Sequence, residues 1–549
     1  TATTFYFDGN ISLDGGDHEG GANTGSGGNA GTLTLNVTNS FDINGNILAR
    51  GGTADSDTCD NIDNGFRGDG GKVVIANKNA LAITGSIETN PGEVSSCRSG
   101  VYKNSEIYAQ RINGTNIKVA GVINASNITI TGVYGADDNG NEGASGVRNG
   151  GQNLTINADI LNLSKTGLIS GKGKNLGDIE SQFAGAGAFI NITANTMYFD
   201  GNISLDGGDH TGTTNNGNGG HAGTLILDAT NSFNINGDIF ARGGTGDSGI
   251  CQLSDNGFRG NGGTITIVGN NNVTVNGNIT STTGELGFCK NGIGGSVIIN
   301  ASNVLNISNT VRINSTGNLS GGITLKGSSV DIRATLDASN ISGSTILTKN
   351  NGTILIEFNN SLAIGSATIY PNPQIARFNE FGRIRFKNNI ASFATIDFNN
   401  NISITKNLVF VDSDTVVDLN QSAEIDLYNL NGLGVLNVTR ISKDSVRDGC
   451  VGINGDFGCR LFTNSTRDLA LVSFNVTRFT NYTVNLSGVR LDSPANATTD
   501  TDGSVTFQCS ANDNINLTNI TLYHNISGAV VDGSRWSANF TFNATDNKP

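Results

Sequence analysis

The sequence predicts an all-β chain: a parallel, right-handed β-helix solenoid, then a small β module, then an immunoglobulin-like β-sandwich. Two observations predict the solenoid. The first is an internal duplication at an offset of 192 residues, in which YFDGNISLDGGDH at 6–18 recurs at 198–210. NSFDINGNILARGGT at 39–53 answers NSFNINGDIFARGGT at 231–245, and DNGFRGDGG at 63–71 answers DNGFRGNGG at 255–263. Self-similarity at fixed spacing marks stacked architectures in which each repeat contacts its neighbours. The second is a shorter unit inside each copy: G-G-x-φ-x-φ, a polar corner, φ-x-φ-x-G-x-I, then a glycine-rich loop. GKVVIANKNALAITGSI at 71–87 and GTITIVGNNNVTVNGNI at 263–279 show it.

Apolar residues in this unit alternate with period two, and no helical period is sustained, so the elements are short strands. The glycine before the last hydrophobic position falls at Gly9, Gly45, Gly85, Gly121, Gly167, Gly201, Gly237, Gly277 and Gly317, 34 to 46 residues apart. These glycines imply nine coils, which at ~4.8 Å per strand make a rod of about 45 Å.

Four segments follow in chain order. Residues 1–344 are the duplicated β-helix, with copies at about 5–121 and 197–317. Beyond about residue 330 the duplication fades, and 345–445, with longer aromatic strands, reads as terminal coils and a capping region. Residues 446–487 read as a small β module closed by Cys450 and Cys459. Residues 488–549 read as strands of an immunoglobulin-like sandwich, shorter than the ~100 residues such a domain needs. Cys509 has no partner within it, which implies a polypeptide continuing past Pro549 or a pairing between molecules.

Composition excludes several functions. Charged residues make up 15% of the chain and the net charge is −14, with basic residues dispersed, so nucleic acid is not an expected partner. No apolar run reaches membrane-spanning length, and no signal peptide is present. The cysteines point to an oxidising compartment. Cys59 and Cys97 map onto Cys251 and Cys289, each pair 38 residues apart, so two disulfides are expected from the duplicated spacing, and Cys450–Cys459 is a third. Zinc is the competing reading, but there is no C-x-x-C and there are only four histidines.

Asn-x-Ser/Thr triplets point outside the cell as well. The chain carries 31 of them, roughly twice what the Asn and Ser/Thr contents give by chance. Candidate N-glycosylation sites in the first part are Asn10, Asn36, Asn113, Asn124, Asn127, Asn153, Asn162, Asn191, Asn202, Asn272, Asn278, Asn300, Asn306 and Asn314. Asn340, Asn401, Asn437, Asn475, Asn481, Asn485, Asn516, Asn519, Asn525 and Asn539 continue the series. The competing reading is that Asn- and Thr-rich β corners generate sequons by accident.

The later segments carry a resemblance. The coil motif is similar to the right-handed β-helices of filamentous-haemagglutinin-type adhesins. AEIDLYNLNGLG, the Arg-Asp-Gly-Cys hairpin, VSFNVTRFTNYTV and SPANATT…VTFQCSANDNINLTNITLY resemble modules of archaeal secreted surface proteins. The resemblance implies a cell-surface or appendage protein, of which a surface-filament subunit such as those of archaeal hami is one version.

Candidate chemistry centres on D-G-G-D-H: Asp14, Asp17 and His18, repeated as Asp206, Asp209 and His210, with Arg50 and Arg67 recurring as Arg242 and Arg259. A polysaccharide-cleaving β-helix would need carboxylates about 5–10 Å apart. Asp at glycine-rich turns and Arg pairing across coils explain the cluster without catalysis, and a ligand or subunit contact is the third reading. Calcium is the one cofactor the acidic loops could hold. Its candidates are Asp55, Asp57, Asp60 and Asp63, the turn DTDG, and Asp137, Asp138, Asn139 and Asn141 in DDNGNEG. The stretches ANTGSGGNAG and TTNNGNGGHAG precede strands rather than helices, lack a phosphate-binding dipole, and read as loop punctuation.

The expected function is a structural, non-enzymatic subunit of an extracellular glycosylated filament, appendage or surface layer, with itself and N-linked glycans as partners. An adhesin binding surface glycan or protein is the alternative, and a β-helix polysaccharide lyase or hydrolase a weaker third.

Overall fold

The computed structural model describes residues 1–18, 25–53, 68–91, 104–135, 151–175, 184–210, 217–246, 259–284, 292–338 and 353–386, apart from single positions and short breaks, and shorter stretches between 401 and 513. The chain divides into two compact units, Thr1–Gln374 with Phe393–Thr395, and Ile375–Ser392 with Ile396–Pro549. Both are built from strands, parallel in the first and antiparallel in the second.

In the first unit each layer of chain lays strands directly on the equivalent strands of the layer before. Twelve short strands, from Ile11–Ser12 to Thr368–Tyr370, form one parallel sheet. Their inward positions meet in register as a single column: Ile11, Ile47, Ile87, Ile117, Tyr134, Ile169, Ile203, Ile239, Ile279, Ile313 and Leu336, and Ile369 of the last strand is in register with Leu336. The facing sheet contributes columns such as Leu35, Ile75, Ile107, Ile123, Ile156, Ile192, Leu227, Ile267, Ile299, Leu325 and Ile356. From Ile75 onward every member of that second column is fully buried. The i, i+2 pattern of the sequence is therefore read twice, as alternation along a strand and as like-on-like stacking between layers.

Eight of these strands close a parallel ring by pairing: Phe189–Phe199, Thr224–Ala229, Thr264–Gly269, Ser296–Ala301, Gly322–Ile332, Val304–Ile307, Val273–Val275 and Phe233–Ile235. The register explains the ring. Phe189–Ala194 pairs one short strand, Thr224–Ala229, and Tyr198–Phe199 pairs the next, Asn234–Ile235. Unbroken strands thus bound three layers in which the same path is interrupted by a polar corner.

Among the described residues the layers number twelve, where the glycines imply nine. Column residues stand 36 residues apart from Ile11 to Ile47 and 40 from Ile47 to Ile87, but 17 from Ile117 to Tyr134 and 23 from Ile313 to Leu336. These two compact layers lack a long loop, so a search at the longer spacing passes over them. Gly121 instead opens the strand Gly121–Ile130 of the facing sheet, and Gly317 follows the strand Arg312–Asn314. The duplication also reaches further than its letters. Spacings of 36, 40, 30, 17 and 35 in the first six layers are matched by 36, 40, 34, 23 and 33 in the second six. Residues 353–370, expected as terminal or capping chain, form the twelfth layer of this pattern.

The second unit is knit differently. Gly382–Phe386 pairs antiparallel with Ala423–Leu427, which pairs with Leu471–Val476, and Val435–Ile441 pairs with both Arg447–Gly449 and Asn481–Ser493. These ladders cross the expected boundaries at 445/446 and 487/488. Pairing partners are long-range in sequence here, so composition shifts do not mark the sheet limits. Asn481–Ser493 also pairs with Gln508–Asp513. The rest of the expected sandwich, 494–507 and 514–549, lies outside the described residues.

Excising residues 19–210 joins two identical sequences and removes six whole layers. The shortened chain is expected to keep a β-sheet circular dichroism spectrum and one cooperative melt, whereas a cut ending mid-strand at residue 193 yields aggregate. Equal failure of both would show that the six-layer period has no structural meaning.

Candidate functional site

The two D-G-G-D-H clusters take the same geometry, and in each the acidic groups face the next layer. Arg50 donates its backbone N–H to Asp14 Oδ1 at 2.7 Å and its Nη2 to Oδ2 at 2.7 Å. Arg242 does the same to Asp206, at 2.8 and 2.7 Å. Asp17 Oδ1 accepts the Thr53 N–H at 2.7 Å, and Asp209 Oδ1 accepts the Thr245 N–H at 2.7 Å and its hydroxyl at 3.0 Å. Burial alone would raise the Asp14 carboxyl, but hydrogen bonds from the Arg50 side chain and backbone, with its charge, hold it below the ordinary range. The Thr53 backbone and side-chain bonds lower Asp17 in the same way. Burial pulls down the guanidinium pKa of Arg259, the other recurring arginine.

The histidines serve packing. A methyl group on Gly25 would stand 2.0 Å from the His18 ring, and one on Gly217 would stand 2.1 Å from the His210 ring. His210 is 3% exposed. Each imidazole is thus pressed on a glycine of the returning loop arm. His18 Nδ1 finds no hydrogen-bond partner among the described residues.

The Asp14 clamp is one case of a wider rule. Asn202 Oδ1 accepts the N–H of Asp238 at 2.8 Å, Asp238 Oδ1 that of Asn278 at 2.7 Å, and Asn278 Oδ1 that of Arg312 at 2.9 Å. Asn10 and Asn46 begin the same ladder in the first copy, capping Asn46 and Ser86. In these five cases the corner peptide of a layer is satisfied by the side chain at the same position of the layer before. The signal was present as the Asn or Asp that follows glycine in G-[N/D]-I.

The glycine-rich stretches are structural rather than punctuation. Their described parts, 25–31 and 217–223, are arms returning beside outgoing arms that carry Gly15–Gly16 and Gly207–Gly208. Outgoing and returning arms alternate in one hydrogen-bonded series: Gly220 donates to Gly208 at 2.8 Å, Gly244 to Gly220 at 2.8 Å, and Gly260 to Gly244 at 2.9 Å. Gly28, Gly52 and Gly68 repeat this on Gly16, Gly28 and Gly52 in the first copy. A methyl group on Gly244 would meet the Gly208 carbonyl oxygen at 1.7 Å, so only glycine lets the arms approach.

The sequons follow from strand alternation. In the described N-x-S/T triplets of the first unit the Asn is exposed or half-buried and x points in, and the Ser/Thr lies outward in most of them. Val37, Ala125, Ile128, Leu154, Leu163, Ile192, Ile203, Val273, Ile279, Ala301 and Ile307 occupy the middle position and are buried. No sequon Asn with a described environment is buried. The excess over composition therefore has a structural source, since outward strand positions hold the Asn, Ser and Thr together.

Cys59, Cys97, Cys251, Cys289, Cys450 and Cys459, and Asp137, Asp138, Asn139 and Asn141, lie outside the described residues, as do Asn340, Asn516, Asn519, Asn525 and Asn539. Cys509 sits in the strand Gln508–Asp513 opposite Leu491. Among the described residues no three or more His, Cys, Asp or Glu gather in a form able to hold a metal ion, and no helix is long and apolar enough to cross a membrane. No protein-family model, curated protein or solved structure matches the chain. The chemistry this arrangement performs is bracing: each polar group sits where the neighbouring layer needs an acceptor or a counter-charge.

Two outcomes are expected. Gly244→Ala should cost about 1–3 kcal/mol by overpacking and lower the melting midpoint, while Gly16→Ala, with open space around the added methyl, should leave it unchanged. Equal midpoints would contradict the packed arms. Asp14 and Asp17 have lowered folded-state pKa values, so their contribution is present above the unfolded value of about 4 and is lost as pH falls through the folded values. The urea midpoint should therefore drop on acidification, and the Asp14→Asn/Asp17→Asn variant should show a shallower drop from a lower start. A double variant with the parent's slope would remove these groups from the account.

Proposed function

We propose that the chain is a structural protein of the cell exterior, its first unit a right-handed parallel β-helix that serves as a rod in a glycosylated filament, appendage or surface layer. The observation that carries the reading is the fate of the candidate catalytic groups. Asp14, Asp206, Asp17 and Asp209 are each engaged by the next layer in both copies. A lyase or hydrolase needs a carboxylate free to exchange a proton with substrate, and these are committed to bracing. Parallel crossovers are right-handed in about 98% of cases, which favours that hand for the solenoid. The surface placement of the described sequons suits a glycan coat, and the resemblance to archaeal secreted surface proteins points the same way.

A specific observation favours adhesion as the second reading. Tyr6 and Tyr198, equivalent in the duplication, are 67% and 58% exposed. An exposed aromatic among Asp and Asn side chains on a rigid sheet suits stacking on a sugar ring.

Electron microscopy of the protein released from its native surface separates the two. Regular filaments or sheets are the expected result. Isolated rods that bind a glycan array through Tyr6 and Tyr198 would replace assembly with adhesion, and monodisperse rods without binding would leave neither standing.

A further inference from the structure

Strand alternation explains how many sequons the chain has, and the exposed apolar side chains single out particular ones. Large apolar residues are exposed at six places among the described residues: Tyr6, Tyr108, Ile160, Phe189, Tyr198 and Ile293. Four of these stand beside a sequon asparagine of an adjacent layer. Tyr108 is in register with Asn124, Ile160 with Asn127 and Tyr198 with Asn162. Phe189 donates its backbone N–H to Asn153 Oδ1 at 3.1 Å. Paired strands lie ~4.8 Å apart, so outward side chains at registered positions are within reach of each other. The four pairs belong to neighbouring layers, whose strands in the facing sheet are Ser105–Gly114, Gly121–Ile130, Leu154–Leu163 and Phe189–Phe199. Clustered apolar side chains on a water-facing surface mark a place where something packs.

The duplication supplies a comparison. Six layers on from Tyr108 and Asn124, the same two places in the outward column hold Asn300 and Lys326, again in register with each other. Tyrosine and acceptor asparagine are thus lost together, while the inward pair beside them, Ile107 on Ile123, stays aliphatic as Ile299 on Leu325. The acceptors are also accessible: Asn124, Asn127 and Asn153 are exposed and Asn162 is half-buried. Attachment joins asparagine Nδ2 to the anomeric carbon of a glycosyl phosphate donor. The N–C bond forms as the C–O bond to the phosphate breaks, the amide loses one proton, and the phosphate leaves with the bonding electron pair. Oδ1 keeps its lone pairs, so the bond from Phe189 to Asn153 survives the modification. The first ring is then tethered beside the neighbouring layer's side chain at high effective concentration. A pyranose has an apolar C–H face, which a flat aromatic surface complements.

We infer that Asn124, Asn127, Asn153 and Asn162 carry N-linked glycans whose first sugar packs its C–H face on Tyr108, Ile160, Phe189 and Tyr198 of the adjacent layer. The proposal rests on the glycosylated exterior reading above and names which sequons carry sugar and what holds it. Each glycan bridges two layers, so it braces the stack from outside and lies against the sheet.

The test is tyrosine nitration by tetranitromethane, with glycan occupancy and nitration both read by peptide mass spectrometry. It compares the protein released from its native surface with the full chain made in a host that lacks N-linked glycosylation. Tyr6, whose registered neighbour is Asp42, is the internal reference. The expected result is sugar on the four asparagines, with Tyr108 and Tyr198 nitrated several-fold more slowly, relative to Tyr6, in the native protein than in the bare chain. Tyr6 and Tyr198 are similarly exposed without sugar, 67% and 58%, so the native protein alone decides if the bare chain does not fold. Unchanged ratios with the four asparagines occupied would overturn the packing and leave the glycan coat standing. The same holds if these four are empty while other sequons carry sugar. No sugar on any sequon would overturn both together. Empty asparagines with Tyr108 and Tyr198 shielded only by added free oligosaccharide would assign the surface to adhesion in place of the attached glycan.

Discussion

A layer of this stack cannot satisfy its own peptide groups or bury its own inward side chains, and each is completed by the same position one layer on. Ile239 rests on Ile203 and supports Ile279, and the peptide N–H of Asp238 is bonded by the side chain of Asn202. The rest follows from that dependence. A residue type that works at one position works at its equivalents, so the columns are nearly uniform in isoleucine and leucine, and Asn or Asp recurs at corners such as Asn10, Asn46, Asn202, Asp238 and Asn278. Stability in such an array is shared between neighbours rather than concentrated in one core.

The same dependence decides what the polar residues can do. Asp14 and Asp206 look like catalytic carboxylates when only their own copy is read, because turn, acid and histidine fall within five residues. In the folded chain the arginine that answers each lies 36 residues away, directly in the next layer. Ion pairs with this exposure contribute on the order of 0–1 kcal/mol, so the backbone bond that each aspartate also accepts is at least as important to the stack. The second unit uses charge on a different geometry. Arg383 and Asp426 are opposed residues on antiparallel strands, 2.6 Å apart, and Arg385 and Glu424 repeat the arrangement two residues along.

The glycine arms show how a loop becomes architecture. Two extended arms per layer, alternating with those of the layers beside them, make a sheet-like packing with almost no side chains. The close approach that forbids a methyl on Gly244 also brings its N–H to the Gly220 carbonyl. Glycine is needed there for lack of room, a different requirement from the positive φ of Gly9 and Gly121.

Period-two alternation and the offset of 192 residues determined, without any structure, that the first part of the chain is a parallel strand stack. They also determined that Asp14, Asp17 and His18 have twins and that Arg50 and Arg242 are available to pair with the acids. The tertiary structure alone decided the layer count, because the layers ending at Tyr134 and Leu336 carry no long loop and no glycine landmark of the expected spacing. It alone showed that sequons arise from outward–inward–outward triples such as Asn191-Ile192-Thr193, and that the antiparallel ladders run across boundaries suggested by composition. The physical reason is common to these cases. Alternation along a strand is written in adjacent letters, whereas the partner across the hydrogen bonds lies elsewhere in the chain, 17 to 40 residues away in the twelve-stranded sheet, at a distance set by loops of unequal length.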